Sequence, residues 1–150
     1  MTEVLFYHLT ESRLEDALPG LLERSLARGW RAVVQCGQDE RRDALDSHLW
    51  TFREDSFLAH GVDRDPHVAD QPIVLTTAPG NPNAAQIRFL VDGAAPPDDL
   101  AGYERAVFLF DGHDQAQLDG ARAHWKALKC AGFDVTYWQQ TPDRRWERKA

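Results

Sequence analysis

The sequence contains few cysteines and no long apolar run, and each of these absences excludes a class of protein. Cys36 and Cys130 are its two cysteines. They lie far apart, and no Cys-x-x-Cys or Cys/His spacing suited to a metal occurs, so we expect both thiols to be reduced and buried, with no metal or other cofactor. No apolar run approaches the roughly 18 residues that a membrane helix needs, and Met1–Val4 lacks the basic start of a signal peptide. These features predict a cytoplasmic protein with no membrane partner.

The sequence also lacks the glycine motifs of nucleotide-binding and acyl-transfer enzymes. Neither G-x-G-x-x-G nor G-x-x-x-x-G-K-[ST] is present, and the strand end at Cys36–Gln38 carries a single glycine. The nucleophile elbow G-x-S-x-G is absent as well. Because such glycines let the backbone approach a phosphate closely, we expect no classical dinucleotide or nucleoside-triphosphate site.

Positive charge is scarce and unevenly placed. The chain has 17 Lys and Arg against 24 Asp and Glu, a net charge of −7. Residues 1–104 carry nine basic and 18 acidic residues, whereas residues 105–150 carry eight basic and six acidic ones, including all three lysines. Because nucleic-acid affinity depends on neutralising phosphates, we expect no direct binding of nucleic acid. The basic C-terminal part suggests a surface that faces an anion, although basic residues at helix C-termini would give the same count.

Short apolar runs alternate with segments of helical periodicity, which predicts one α/β domain over residues 1–150. The expected fold is a Rossmann-like layer sandwich with a mostly parallel sheet flanked by helices. The predicted strands are Val4–Leu9, Ala32–Cys36, Ile73–Thr76, Phe89–Val91, Val107–Phe110 and Val135–Trp138. The predicted helices are Glu11–Arg28, Gln38–Trp50 and Asp114–Cys130. We expect Pro19 to kink or divide the first helix, Ala44 to share the apolar side of the second with Leu45, His48 and Leu49, and the basic tail from Pro142 to be frayed.

One cluster of acidic and imidazole side chains follows a predicted strand and is the enzymatic candidate. Asp111, His113 and Asp114 would meet at one edge of the sheet, where they could serve a small hydrolase or nucleotide-binding enzyme. We favour a different interpretation, in which Asp111 or Asp114 caps the following helix and Gly112 forms the turn, because aspartate is common at helix starts.

The last predicted helix carries a basic stripe at spacings of i, i+3, i+4 and i+7. Its members are Arg122, Trp125, Lys126 and Lys129. A separate apolar stripe, expected to face the sheet, consists of Leu118, Ala121, Leu128 and Ala131. An exposed indole between cations would suit an acidic peptide with an aromatic end. Two alternatives are a merely solvated basic face and a platform that stacks single-stranded DNA, the latter opposed by the acidic residues 1–104.

A second candidate surface lies at the end of the second helix. Trp50 and Phe57 are residue types that often anchor protein interfaces. They would equally suit the hydrophobic core, because aromatic side chains are frequently buried.

Four blocks of this sequence, in their order and spacing, resemble the chi subunit of bacterial DNA polymerase III holoenzyme. They are Phe6–Leu9, Leu45–Trp50, Asp55–His60 and Trp125–Phe133. The resemblance covers nearly the whole chain and implies a non-catalytic accessory subunit of the clamp-loader complex, acting in DNA replication, with a role in repair as a further expectation.

The resemblance also implies partners and their contact residues. The late helix of this family binds the acidic C-terminal tail of single-stranded DNA-binding protein, and the matching positions are Arg122, Trp125 and Lys126. A basic family position falls at Leu118, so Lys129 or the tail arginines Arg144 and Arg145 would replace it. A second family surface contacts the psi subunit of the clamp loader or a repair helicase, and its matching positions are Trp50 and Phe57.

Overall fold

The computed structural model describes residues 2–51 and 59–150. Within these ranges it contains three α-helices, which are α1 (Leu14–Ala27), α2 (Asp39–Thr51) and α3 (Gln115–Cys130). It contains eight strands, which are β1 (Glu3–Leu9), β2 (Ala32–Gln35), β3 (Gly61–Val62), β4 (Ile73–Thr76), β5 (Ile87–Leu90), β6 (Arg105–Asp111), β7 (Asp134–Gln140) and β8 (Trp146–Arg148). Short 3₁₀ turns occupy Val68–Asp70 and Leu100–Gly102.

All of these strands join one sheet in the order β3-β4-β2-β5-β6-β1-β7-β8. Every pairing is parallel except that of β7 with β8. The interior strand β1 lies between β6 and β7, with Phe6 opposite Phe108 on one side and Tyr137 on the other. The predicted α/β sandwich with a mostly parallel sheet is confirmed.

The helices cover opposite faces of this sheet. The alternate residues Leu5 and Leu9 of β1 pack with Leu18 and Leu22 of α1 and with Leu45 of α2. The intervening residues of β1 point to the other face, into a second cluster that α3 covers. That second cluster contains Val4, Phe6, Phe108, Phe110 and Ala121. Because side chains alternate along a strand, β1 contributes to both cores.

The C-terminal segment, for which the sequence predicts a frayed tail, forms β8 and packs against β1. Trp146 of β8 stacks on Tyr7 of β1 at 4.5 Å between ring centroids. The turn that precedes it is closed by the Thr141 N–H, which donates to the Arg145 carbonyl at 2.8 Å. Hydrogen bonds to β7 and partial burial of the indole therefore hold this segment against the sheet, although its charge alone predicts disorder.

Two further expectations are wrong, and a third is wrong in one of its two alternatives. Pro19 does not divide α1, since the helix is continuous from Leu14 to Ala27. Ala44 is exposed, and the buried side of α2 is formed by Leu45, Leu49 and the stem of Arg42. Cys130 is exposed at the end of α3, whereas Cys36 is buried as expected.

None of the helices among the described residues is both long enough and apolar enough to cross a membrane.

Candidate functional site

α3 begins and ends at local signals in the sequence. The Asp114 carboxylate accepts a hydrogen bond from the Gln117 N–H at 3.2 Å and so caps the first turn. Gly132, two residues after Cys130, has φ of +93°, which glycine adopts without strain and which ends the helix. These two signals therefore account for where the helix begins and where it ends.

The four predicted residues lie on one side of α3 and form what we call the cationic stripe: Arg122, Trp125, Lys126 and Lys129. The three cations are exposed, and Trp125 is half-buried. None of the three forms a salt bridge with a carboxylate among residues 2–51 and 59–150. The Lys129 ammonium lies 5.1 Å from the centroid of the Trp125 ring, a cation–π contact.

Two aromatic rings of the sheet support the indole of Trp125. Phe6 meets it edge to face at 5.7 Å, and Tyr137 does so at 5.8 Å. Phe6 in turn stacks on Phe108 at 4.5 Å, with the rings 5° from parallel. The indole of Trp125 is therefore less exposed to solvent than its place in the basic stripe suggests. Its contacts with Phe6 and Tyr137 of the sheet fix its orientation.

The predicted apolar stripe of α3 is correct in part. Ala121 is buried, and Leu118 and Leu128 pack partly buried against the same core. Ala131 is exposed at the C-terminal cap of the helix, so it does not belong to the buried side of α3.

Two residues beneath the stripe were missed from the sequence. Tyr137 of β7 and His8 of β1 form a hydrogen bond of 2.7 Å between the Tyr137 hydroxyl and His8 Nδ1. Burial lowers the pKa of His8, with further lowering by His113 and Arg122 and opposition from Asp111. Burial raises the pKa of Tyr137, and Arg122 opposes that shift. The alternation of Val135 and Tyr137 along β7 was the signal that could have identified this pair.

The three residues of the enzymatic candidate, Asp111, His113 and Asp114, make hydrogen bonds that stabilise the turn before α3 and its first turn. Asp114 caps α3, and an Asp111 carboxylate oxygen accepts from the His113 N–H at 2.9 Å. His113 Nε2 lies 2.9 Å from the Thr10 carbonyl oxygen. The described part of the chain contains no group of three His, Cys, Asp or Glu side chains that could hold a metal ion. The capping interpretation is thus confirmed for Asp114.

Of the two residues of the second candidate surface, Trp50 lies within the described part of the chain. Trp50 is the large apolar side chain that stands out as exposed among the described residues, at 50%. Its ring lies 4.4 Å from that of His60, whose Nε2 is 2.9 Å from a carboxylate oxygen of Asp46. Phe57 lies outside the described residues.

Of the two tail arginines, Arg144 lies away from the cationic stripe, and Arg145 is engaged by a neighbouring carboxylate. Arg144 lines a cavity between α1 and Trp146, on the opposite face of the sheet. Arg145 pairs with Asp143 at 3.3 Å. Arg144 therefore does not supply the basic residue that the resemblance leads us to seek, whereas Lys129 lies 5.1 Å from the centroid of the Trp125 ring.

Comparison with known proteins finds similarity along most of the chain. A family model described as "DNA polymerase III chi subunit, HolC" matches residues 1–136. The probable DNA polymerase III subunit chi of Rickettsia prowazekii (strain Madrid E) is 28% identical over 101 residues, which cover 67% of this chain and 59% of that protein.

A second relative gives the same picture. The DNA polymerase III subunit chi of Pseudomonas aeruginosa (strain PAO1) is 31% identical over 85 residues, which cover 54% of this chain and 59% of that protein. The chain thus spans 59% of the length of each of these two relatives. The strand β8 lies beyond the last residue that the family model matches.

Proposed function

Because the chain belongs to the DNA polymerase III chi subunit family, we propose that it is a non-catalytic accessory subunit of that polymerase. It links the replication complex to single-stranded DNA-binding protein by binding the acidic C-terminal tail of that protein. The cationic stripe of α3 is the binding site.

The observation that carries this proposal is the combination of free cations and a supported indole on one exposed helix side. Arg122, Lys126 and Lys129 have no carboxylate partner among the described residues, so they need not break an ion pair to bind an acidic peptide. Trp125 offers apolar area beside them, and Phe6 and Tyr137 hold its ring in place. A tail that ends in an aromatic residue and a carboxylate has the complementary chemistry.

Each residue has a separate role in this proposal. Arg122 and Lys126 pair with the terminal carboxylate and the acidic side chains of the tail, and Lys129 adds charge beside the ring. Trp125 contacts the last aromatic side chain of the tail. Exposed ion pairs contribute little individually, so the affinity is on the order of micromolar and falls as salt rises.

The second surface serves a second partner. Trp50 is half exposed and lies against His60, so it can lose its remaining contact with water in an interface without unfolding the core. Its partner is the psi subunit of the clamp loader or a repair helicase, and Phe57 is the further contact residue that the family resemblance implies.

The direct test is a titration of an acidic peptide that ends in phenylalanine. Wild type and Arg122→Ala are compared by calorimetry, with Arg64→Ala as the matched control, because Arg64 is an exposed arginine of the α2 side. We expect Arg122→Ala to weaken binding about fivefold, in the range of one exposed ion pair, and Arg64→Ala to bind like wild type. Equal affinities for all three proteins would overturn the assignment of the site.

A shortened peptide tests the role of the indole. Removing the terminal phenylalanine removes the group that contacts Trp125 but leaves the acidic residues and a terminal carboxylate. We expect wild type to bind the shortened peptide more weakly than the full peptide. The Trp125→Leu variant should bind the shortened peptide with nearly the same affinity as wild type does. A full loss on Trp125→Leu with the shortened peptide would mean that Trp125 has only a structural role.

A further inference from the structure

A groove runs along α1 on the face of the sheet opposite the cationic stripe. One part, a cavity of about 350 Å³, is lined by Tyr7, Arg24, Arg28, Trp30 and Arg105, among others. A second part of about 180 Å³ shares Arg24 and Leu21 with the first and continues to Arg144 and Trp146. We call the two parts together the α1 groove.

The α1 groove is positively charged, although the protein as a whole is negatively charged. Among the described residues, four arginines line it against a single carboxylate, Asp16. The chain as a whole carries a net charge of −7. At physiological salt the Debye length is about 8 Å, so a ligand in the groove responds to these nearby arginines more than to distant carboxylates.

Three of these arginines are available to a ligand. Within the described part of the chain, Arg24, Arg28 and Arg144 form no ion pair with a carboxylate. All three are exposed. Arg105 does pair with Glu3, at 2.9 Å, but its Nε is buried without a hydrogen-bond partner.

Aromatic rings alternate with the arginines along the groove. The guanidinium carbon of Arg28 lies 4.1 Å from the centroid of the Trp30 ring, and that of Arg105 lies 5.4 Å from it. Further along, Tyr7 and Trp146 stack on each other and are both partly exposed. From Asp16 to Arg28 the helix side that borders the groove extends about 18 Å at 1.5 Å per residue.

We propose that the α1 groove binds single-stranded nucleic acid, with phosphates on the arginines and bases against the aromatic rings. Guanidinium groups bind phosphate oxygens in a bidentate manner and stack on planar rings, which lysine does not do. Aromatic rings beside a cationic groove are the combination found in proteins that bind single strands without sequence preference. All four cations are arginine, and the groove is long and shared between two cavities, which favours an extended strand over the compact end of a peptide.

This inference does not depend on the proposed function, and it departs from the expectation drawn from net charge. That expectation took account of how charge is distributed along the sequence, but not of which arginines lie together in the fold. The fold gathers Arg24 and Arg28 of α1, Arg105 of β6 and Arg144 of the C-terminal hairpin, which are far apart in sequence.

The test measures the anisotropy of a labelled 15-nucleotide oligo(dT) with the full chain. If all four arginines contact phosphates, the slope of log affinity against log salt is about −2.8, so affinity falls about 50-fold between 50 and 200 mM salt. The double variant Arg24→Ala/Arg144→Ala keeps two contacts and is expected to lose only about sevenfold over the same range, besides binding more weakly at 50 mM. Both side chains are exposed, so the variant should fold, which circular dichroism checks.

Three controls make the outcome specific. Arg64→Ala, an exposed arginine outside the groove, should bind oligo(dT) like wild type. Trp146→Leu should weaken binding to the single strand, and a duplex of equal length should bind less well than the single strand. The acidic peptide should bind the Arg24→Ala/Arg144→Ala variant as it binds wild type, which separates this site from the cationic stripe.

Other results overturn the proposal. They are no oligo(dT) binding at 50 mM salt, binding that the double variant leaves unchanged, or equal binding of single strand and duplex. Loss of acidic-peptide binding on the double variant would identify the groove as a peptide site and would likewise overturn it.

Discussion

His48 of α2 makes the hydrogen bond that Pro19 of α1 cannot. Its Nε2 lies 2.7 Å from the Glu15 carbonyl oxygen, which is the group that an N–H at position 19 would contact in a regular helix. Proline has no N–H, so this carbonyl needs another donor. The contact explains how α1 passes through Pro19 without interruption, and it joins α1 to α2 above the sheet.

This pairing predicts a coupling between the two positions. His48→Ala should lower the free energy of unfolding by about 1–2 kcal/mol, because it removes the imidazole that donates to the Glu15 carbonyl. In a Pro19→Ala background the new backbone N–H at position 19 can contact that carbonyl, so the cost of His48→Ala should shrink by about 1 kcal/mol. Chemical denaturation of the four proteins measures the coupling, and equal costs in both backgrounds would show that the contact contributes nothing.

Two glycines near α3 should respond in opposite directions to alanine. A Cβ at Gly112 would clash with the ring of His8 and lie 3.0 Å from the Leu9 carbonyl oxygen, so Gly112→Ala should cost about 1–3 kcal/mol. A Cβ at Gly120, inside the helix, would meet nothing within 4 Å, so Gly120→Ala should stabilise by about 0.5–1 kcal/mol. Thermal unfolding of both variants checks the prediction, which fails if the two shifts have the same sign.

Acidification should destabilise the protein through two histidines. Burial lowers the pKa of His124, and burial together with His113 and Arg122 lowers that of His8. The unfolded chain therefore binds more protons than the folded chain between the ordinary histidine pKa of about 6.5 and the lower folded values. The contribution of these two histidines to the free energy of unfolding is therefore fully present above about pH 6.5 and is lost as the pH falls below that value.

The double variant His8→Asn/His124→Asn isolates this effect. Asparagine at position 8 offers an oxygen near the place of Nδ1 and so can keep the contact with the Tyr137 hydroxyl. We expect its midpoint of thermal unfolding to change less than that of wild type between pH 7.5 and 5.5. A parallel decline in both proteins would assign the acid sensitivity to other groups.

The two cysteines should differ in reactivity. Burial, with a smaller contribution from Asp92, raises the pKa of the Cys36 thiol to about 12, so almost no thiolate forms there near neutral pH. Cys130 is exposed. A thiol reagent such as DTNB at pH 8 should therefore modify Cys130 quickly and Cys36 only after unfolding. Cys130→Ser should then be unreactive while folded, and rapid reaction of that variant would contradict the prediction.

The exposed indole of Trp50 at the end of α2 should contribute to binding of a partner and contribute little to the stability of the fold. Trp50→Ala should keep the unfolding midpoint close to that of wild type, because half of the side chain is already in water. It should leave acidic-peptide binding unchanged and abolish co-purification of the second partner with the tagged protein. Severe destabilisation would show instead that Trp50 belongs to the core, and unchanged co-purification would exclude it from the interface.

Local sequence signals were enough to predict the main helices and strands and one side of α3. Such signals are short in range, so alternating apolar runs, the Asp114 cap and Gly132 predicted strands and helix ends close to those observed. Helical spacing likewise sufficed to put the four residues of the cationic stripe on one side, because that geometry depends on the helix alone.

Contacts between residues that are distant in sequence, in contrast, could be known only from the folded chain. Arg88 is fully buried, held by Gln35, the Tyr103 hydroxyl and two loop carbonyls, and nothing in its local sequence signals a buried cation. The order of the tail depends on Trp146 meeting Tyr7, nearly the whole chain apart in sequence. The four arginines of the α1 groove come from three separate segments, so the charge of the groove cannot be obtained from composition. Periodicity reports which side of an element is apolar, but pairing across the sheet fixes which groups then meet.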